Sequence, residues 1–86
     1  MIQRINMPVL VTSTFDPKQN KTFIETIVWD GRTYPVKRLG LHHTYRDGRT
    51  LHHVFSVETP SLSFRLVLNT DTLHWRVEEI SDGEAD

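Results

Sequence analysis

Residues 36–57 read VKRLGLHHTYRDGRTLHHVFSV, and apolar residues alternate with polar ones on both sides of Arg46-Asp47-Gly48. An alternation with a period of two is typical of half-buried β-strands. The glycine between the two arms accepts the positive φ that a tight hairpin loop requires. This stretch therefore predicts a long β-hairpin in the middle of the chain.

The side-chain pattern also predicts how the two arms of this hairpin are paired. A two-residue loop would pair His43 with His52 and would mix apolar and polar residues on each face. A three-residue loop would pair His42 with His52. It would place the apolar residues on one face and the polar residues on the other, because a shift of one residue turns a whole face over. We therefore expect the three-residue loop, with His42 opposite His52 on the polar face and His43 and His53 toward the core.

The other apolar runs are rich in β-branched and aromatic residues and lie between turn signals. Pro8 and Pro35 have no N–H to donate to a strand ladder. Pro8 therefore predicts an edge strand or a strand that begins just after it, and Pro35 predicts an edge position, a bulge or a bend. The predicted strands cover residues 7–15, 22–29, 32 onward into the first hairpin arm, the second hairpin arm, 62–68 and 73–78. The predicted turns cover residues 16–21, 30–31, 59–61 and 69–71.

Alternation further predicts which side chains share a face. In the second strand, Phe23 and Ile27 are expected on one face and Ile24 on the other. In the last strand, Leu73 is expected on the same face as Trp75. Both expectations assume an unbroken period of two along each strand.

Nothing in the chain shows the 3.6-residue periodicity of a helix. The pattern predicts an all-β fold, an antiparallel meander of five or six strands curled into a small barrel or half-barrel. Such curling removes exposed strand edges and encloses one core. The first strand, which contains Pro8, is the expected edge of the sheet, and its uncovered apolar run would allow a homodimer through that N-terminal edge strand.

The composition indicates one globular domain. Of 86 residues, 37% are hydrophobic and 24% are charged, values typical of globular chains, and none is cysteine. We expect a single β domain over residues 1–81 and an acidic, frayed tail over 82–86. The N-terminus has no apolar core of a signal peptide and no run reaches the ~20 apolar residues of a membrane span. The expected location is therefore the cytoplasm, with no membrane partner.

The net charge of −1 is unevenly distributed, since five of the eleven acidic residues lie among the last nine. The body of the chain is correspondingly basic. One interpretation is a tail that keeps the protein soluble. The other is a tail that shields a basic binding face.

The histidines are candidate metal ligands, because imidazole suits zinc, copper and nickel. On the predicted register His42 and His52 would supply two ligands. A catalytic zinc site needs three and a structural site four, so others would have to come from His74, Glu58 or Asp30. The alternative is that the rings cover apolar surface, and we expect no cofactor. Four histidines on adjacent strands would also repel one another when protonated, which predicts lower stability at pH 5 than at pH 7.

Five basic residues fall within eighteen positions that hold a single acid, Asp47. Small β-barrels bind single-stranded nucleic acid with a basic groove and aromatic platforms, and Trp29, Tyr34 and Tyr45 are nearby. The alternative is solvated edge protection, and the sequence pI of about 6.5 is not basic. The candidate nucleic-acid-binding residues are Arg32, Lys37, Arg38, Arg46 and Arg49.

No catalytic motif stands out. There is no cysteine, no serine in a G-x-S-x-G context and no glycine-rich phosphate loop. The sequence therefore favours a non-enzymatic accessory or protein-interaction domain, with a protein as the expected partner. Nucleic-acid binding through the basic hairpin is the first alternative and a histidine metal site is the second.

Residues 22–80 show a pattern that resembles a group of short bacterial all-β domains of unknown function. The matching motifs are VWDGRTYPV at 28–36, HVFSV at 53–57, FRL at 64–66 and LHWRV at 73–77. The resemblance implies a pair of strands joined at Asp30-Gly31, a central hairpin and a closing strand with a tryptophan. Some such domains are similar to segments found beside DNA-repair polymerases, which implies a link to nucleic acid without assigning any residue.

Overall fold

The structure is a computed structural model that describes residues 1–82, and it contains eight β-strands. The strands are β1 (Ile2–Pro8), β2 (Leu10–Asp16), β3 (Lys21–Trp29), β4 (Arg32–Pro35), β5 (Arg38–Asp47), β6 (Thr50–Glu58), β7 (Ser63–Asn69) and β8 (His74–Ser81). No helix among the described residues has the length and apolar character that a membrane crossing requires.

The strands form two antiparallel sheets. One sheet has five strands in the order β1-β8-β7-β6-β5, and the other has three in the order β2-β3-β4. The predicted all-β antiparallel architecture is confirmed. Successive strands are neighbours in β2-β3-β4 and in β5-β6-β7-β8, whereas β1 pairs with β8. The predicted count of five or six strands is wrong, and neither sheet closes into a barrel within residues 1–82.

The two sheets arise because the chain changes sheet at two proline-containing corners. β1 ends at Pro8 and β2 begins at Leu10, so the strand predicted over residues 7–15 is divided between the sheets. β4 ends at Pro35, and β5 then starts in the larger sheet at Arg38. Proline removes one ladder donor and restricts φ, so pairing stops where it occurs. At each of these corners the chain passes from one sheet to the other, so the strands do not form a single closed sheet.

The core lies between the two sheets. Its buried side chains from the three-stranded sheet are Ile24, Ile27 and Tyr34, and those from the five-stranded sheet are Phe55, Val57, Phe64, Leu66, Val77 and Ile80. Each sheet supplies an apolar face that the other covers, as expected for layered β domains. Because one cluster contains residues from both layers, residues 1–82 behave as one packed unit.

A β-bulge changes the predicted faces of β3. The pairing of β2 with β3 runs Thr12↔Thr26 and then Ser13↔Ile24, so Glu25 is the extra residue. A bulge adds one residue to one strand and resets the alternation beyond it. Ile24 and Ile27 are therefore both buried, whereas strict alternation had placed them on opposite faces.

The central hairpin forms, but with a different loop from the one predicted. Asp47 pairs with Thr50, so the loop is Gly48-Arg49, with positive φ only at the glycine. Glycine at the first position of a two-residue loop fits a type II′ turn, whose twist suits the flanking strands. The predicted three-residue loop is wrong, and with it the pairing of His42 with His52.

The last strand begins later than the sequence pattern predicts. Leu73 is not in the last strand but in the β7–β8 turn, with φ of 61°. Ser81 is the last residue of β8, and the N-terminal amino group lies 3.2 Å from Oδ1 of Asp82. Of the predicted acidic tail 82–86, residues 83–86 lie outside the described residues.

Candidate functional site

The shifted register places His42 beside His53 rather than opposite His52. Backbone pairing sets His42 against Phe55 and Thr44 against His53. The His42 Nε2 and His53 Nδ1 atoms are 2.8 Å apart, and the two rings are stacked with centroids 5.0 Å apart. One imidazole can donate its N–H to the other only while the accepting nitrogen is unprotonated. The hydrogen bond therefore requires that at least one of the two rings is neutral.

The surroundings of His42 favour its neutral form. Its ring stacks on the buried Phe55 ring at a centroid distance of 4.5 Å. Burial lowers the pKa of the His42 imidazole, and the charges of His53 and His43 lower it further. A lowered pKa means that protonation is more costly in the folded chain than in the unfolded one.

His52 lies on the opposite face of the hairpin. It pairs with Tyr45, and the two rings stack with centroids 4.8 Å apart. Its Nδ1 atom is buried and has no hydrogen-bond partner among residues 1–82. The two histidines that the sequence proposed as metal ligands, His42 and His52, thus point to different sides of the sheet.

The described residues contain no group of three histidine, aspartate or glutamate side chains that could hold a metal ion. Glu58, one of the proposed additional ligands, accepts a hydrogen bond from Arg38 instead. His42 and His53 are adjacent but supply only two imidazoles. Two ligands fall short of the three or four that zinc sites in proteins use.

The five basic candidates do not form one surface. Arg38 and Arg46 stand near opposite ends of β5, about 26 Å apart at ~3.3 Å per residue. Arg38 is hydrogen-bonded to the Glu58 carboxylate. This bond, and then the attraction between the two charges, raises the pKa of the Arg38 guanidinium. Lys37 lies in the corner before β5 and Arg32 starts β4 in the other sheet.

Arg46 and Arg49 are the two basic candidates that come together. They flank the tip of the central hairpin, and Arg46 Nη1 lies 3.5 Å from the Arg49 carbonyl oxygen. Of the three aromatic residues expected as platforms, Tyr34 is buried in the core and Trp29 packs against it. Tyr45, 43% exposed, is accessible.

A groove of about 1170 Å³ lies beside the Pro8–Arg76 end of the β1–β8 pairing. Three exposed apolar side chains line it: Met7 is 51% exposed, Leu10 59% and Leu73 70%. We call these three residues the apolar rim. Trp29 and Trp75 also line the groove, so the rim surrounds the edges of two half-buried aromatic rings.

Sequence reasoning missed the apolar rim because it assigned its members to strand interiors. Leu73 was expected to face the core beside Trp75, but it occupies the left-handed region in the turn. Leucine rarely adopts that conformation, and strained residues cluster at binding sites. The available signal was its position two residues after the turn residues Asn69-Thr70-Asp71.

The loop is held in this conformation by several hydrogen bonds. The Leu73 N–H donates to the Asn69 carbonyl at 2.6 Å, and the Asn69 Oδ1 accepts from the N–H groups of Asp71 and Thr72. The Thr70 hydroxyl donates to the Leu51 carbonyl at 2.7 Å. This network over-determines the turn and keeps Leu73 exposed.

Comparisons of the chain with protein-family models, with curated proteins and with solved structures found no match. The resemblance to short bacterial all-β domains stays a prediction.

Proposed function

We propose that this chain is a non-enzymatic protein-interaction domain that binds its partner through the apolar rim. The observation that carries the proposal is the exposure of Met7, Leu10 and Leu73 around one groove. Contiguous exposed apolar surface with a polar surround is typical of interaction sites. Because the chain has no cysteine, we place this activity in the reducing environment of the cytoplasm.

The rest of the groove supports a protein partner. Its lining includes polar groups, among them Asp30, Asn69 and His74, that can form the wet rim of an interface. Two tryptophans in the groove offer the aromatic anchors that dominate binding energy in interfaces. A homodimer through β1 is the version of this proposal in which the partner is a second copy.

The test uses the double variant Leu10→Asp with Leu73→Asp. Both side chains are exposed, so folding is expected to tolerate the changes while an apolar contact does not. Affinity purification with quantitative mass spectrometry is expected to show proteins that co-purify with the wild-type chain and are depleted at least tenfold with the double variant.

The matched control is Phe15→Asp, since Phe15 is 58% exposed but does not line the groove. Its set of co-purifying proteins is expected to equal that of the wild-type chain. Recovery of the same proteins by all three chains would contradict the proposal. Circular dichroism on each variant excludes unfolding as the cause of a loss.

A second candidate function is the binding of single-stranded nucleic acid at the tip of the central hairpin. It is favoured by the contact of Arg46 with the Arg49 carbonyl at the hairpin tip and by the exposed Tyr45 ring on the opposite face of β5, since stacking and phosphate contacts act jointly in such sites. Salt-sensitive binding of an oligothymidylate, lost in Arg46→Glu with Arg49→Glu and kept in Arg32→Glu, would support it. Binding that is indifferent to all three changes would exclude this site.

A further inference from the structure

β5 is the open edge of the five-stranded sheet. It pairs with β6 on one side, and within residues 1–82 no strand pairs with its other side. Residues 42–47 are all exposed. An edge of this kind presents unpaired N–H and C=O groups to any extended chain that approaches it.

The other three sheet edges are less suited to accept a strand. β1 is paired irregularly between Arg4 and Met7 and ends at Pro8. β4 has only four residues and ends at Pro35. β2 lies beside the bulge of β3. Residues 42–47 of β5, by contrast, are in regular register with β6 and contain neither proline nor lysine, and their two charged residues, Arg46 and Asp47, lie at the hairpin end.

The two-residue loop fixes which backbone groups of β5 point outward. Asp47 and Thr50 flank the loop and close the hairpin as a hydrogen-bonded pair, and such pairs alternate along an antiparallel ladder. Tyr45 and His43 therefore bond to β6. The N–H and C=O groups of His42, Thr44 and Arg46 point away from the sheet.

The side chains beside this edge select a partner by charge. His42, Thr44 and Arg46 lie on the sheet face that also carries the core residue Phe55. Among the described residues the Arg46 guanidinium has no carboxylate partner, and it contacts only the Arg49 carbonyl at 3.5 Å. Carboxylates spaced four residues apart on an added strand would face these two nitrogen-bearing side chains.

The opposite face of the same edge is apolar at its centre. It carries His43, Tyr45 and Asp47, and the Tyr45 ring is stacked against His52 on its inner side. An apolar side chain of an added strand would cover the outer side of that ring, as cross-strand aromatic and β-branched pairs do. The edge thus favours a segment with acidic residues on one face and apolar residues on the other.

We propose that residues 42–47 of β5 bind an extended peptide segment of alternating acidic and apolar residues as a sixth strand of the larger sheet. Main-chain hydrogen bonds provide affinity in this mode and the alternate side chains provide specificity. This inference rests on the proposed protein-interaction function and names the chemistry of a partner segment. Of residues 42–47, only Tyr45 is shared with the groove that Leu10 and Leu73 line, and Arg46 and the outward main-chain groups lie outside it.

The test is an NMR titration of the isotope-labelled chain with the peptide acetyl-TEVTVET-amide, against acetyl-TKVTVKT-amide as control. The glutamate peptide is expected to shift the amide signals of His42, Thr44 and Arg46, with binding that weakens as salt rises. The lysine peptide is expected to bind at least tenfold more weakly. Equal binding of both peptides, or no shift along β5, would overturn the proposal.

Two variants separate main-chain from charge recognition. Thr44→Pro removes an outward N–H and leaves the ladder to β6 intact, so it is expected to weaken binding of the glutamate peptide at least tenfold. Thr44→Val keeps that N–H and is expected to bind the peptide like the wild-type chain. Arg46→Glu serves if the proline variant does not fold. It is expected to reverse the preference toward the lysine peptide, and an unchanged preference would overturn the proposal.

The outcome is distinguishable from that of the apolar-rim proposal. The double variant Leu10→Asp with Leu73→Asp is expected to bind the glutamate peptide like the wild-type chain. If no peptide binds but partner recovery still requires Leu10 and Leu73, the edge-strand inference fails while the interaction function stands. If an oligothymidylate shifts the β5 amides and the peptide does not, nucleic acid replaces the peptide and the inference is overturned.

Discussion

The imidazoles of His42 and His53 share a hydrogen bond across β5 and β6, with 2.8 Å between Nε2 and Nδ1. The bond requires that at least one ring is neutral, and His42 also stacks on the buried Phe55. Protonation of both rings places two like charges in contact. This pair therefore links the stability of the hairpin to pH.

We expect the free energy of unfolding to fall as pH decreases from 7 to 5. The pKa of His42 is lowered in the folded chain by burial and then by His53 and His43, so the unfolded chain binds more protons in this window. Stability is then highest above the ordinary histidine pKa of about 6.5 and is lost below it. Thermal melts of the wild-type chain and His42→Gln at pH 7, 6 and 5 check this. A smaller slope in the variant is expected, with His74→Gln keeping the wild-type slope.

Stoichiometric zinc is expected to leave the melting temperature unchanged. His42 and His53 provide two nitrogens, and no third histidine or carboxylate joins them within residues 1–82. Two ligands seldom hold zinc against water. Differential scanning calorimetry at one and ten equivalents of zinc measures the effect. A dose-dependent rise that disappears in His53→Gln would show that a site exists after all.

Ile27→Ala is expected to destabilise the domain by about 2–5 kcal/mol, the usual cost of truncating a buried isoleucine. Ile27 is fully buried between the two sheets. Phe23→Ala is expected to cost much less, because Phe23 lies on the exposed side of β3. Chemical denaturation of the two variants compares them. Equal losses would mean that the bulge at Glu25 does not separate these side chains.

The same bulge shows which part of the fold sequence reasoning reaches. Alternation in β7 puts Phe64 and Leu66 on one face, and both are buried in the core; the predicted turn at Asp30-Gly31 forms, with positive φ at both residues. These features depend on local stereochemistry. The bulge in β3 and the change of sheet at Pro8 depend on long-range packing, which a period of two cannot report.

The candidate site depends even more on long-range packing. Shifting the central loop from the predicted position to Gly48-Arg49 exchanges His52 for His53 as the neighbour of His42. Both loops have acceptable turn residues, and the separation of apolar and polar side chains favoured the wrong one. The apolar rim is also invisible to periodicity, because Leu10 and Leu73 come from elements far apart in the chain. Only the pairing of β1 with β8 brings them to one groove.

Because Leu73 has a left-handed conformation, we expect its replacement to raise the stability of the domain and to weaken partner binding. Asparagine adopts this region more readily than leucine, so Leu73→Asn is expected to stabilise the domain by about 0.5–1 kcal/mol. It also removes an exposed apolar side chain from the rim, so the variant is expected to recover less of the partner than the wild-type chain does. Residues kept in a costly conformation at a binding surface commonly show this trade-off.

Denaturant melts combined with partner recovery test both halves of this prediction for Leu73→Asn. Leu41→Asn is the matched control, because Leu41 is similarly exposed but neither lines the groove nor has a positive φ. This control is expected to change the free energy of unfolding by no more than about 0.5 kcal/mol and to leave partner recovery unchanged. A stabilised Leu73→Asn chain that binds as well as the wild type would show that Leu73 is strained without contributing to binding. The contact would then have to be sought at Met7 and Leu10.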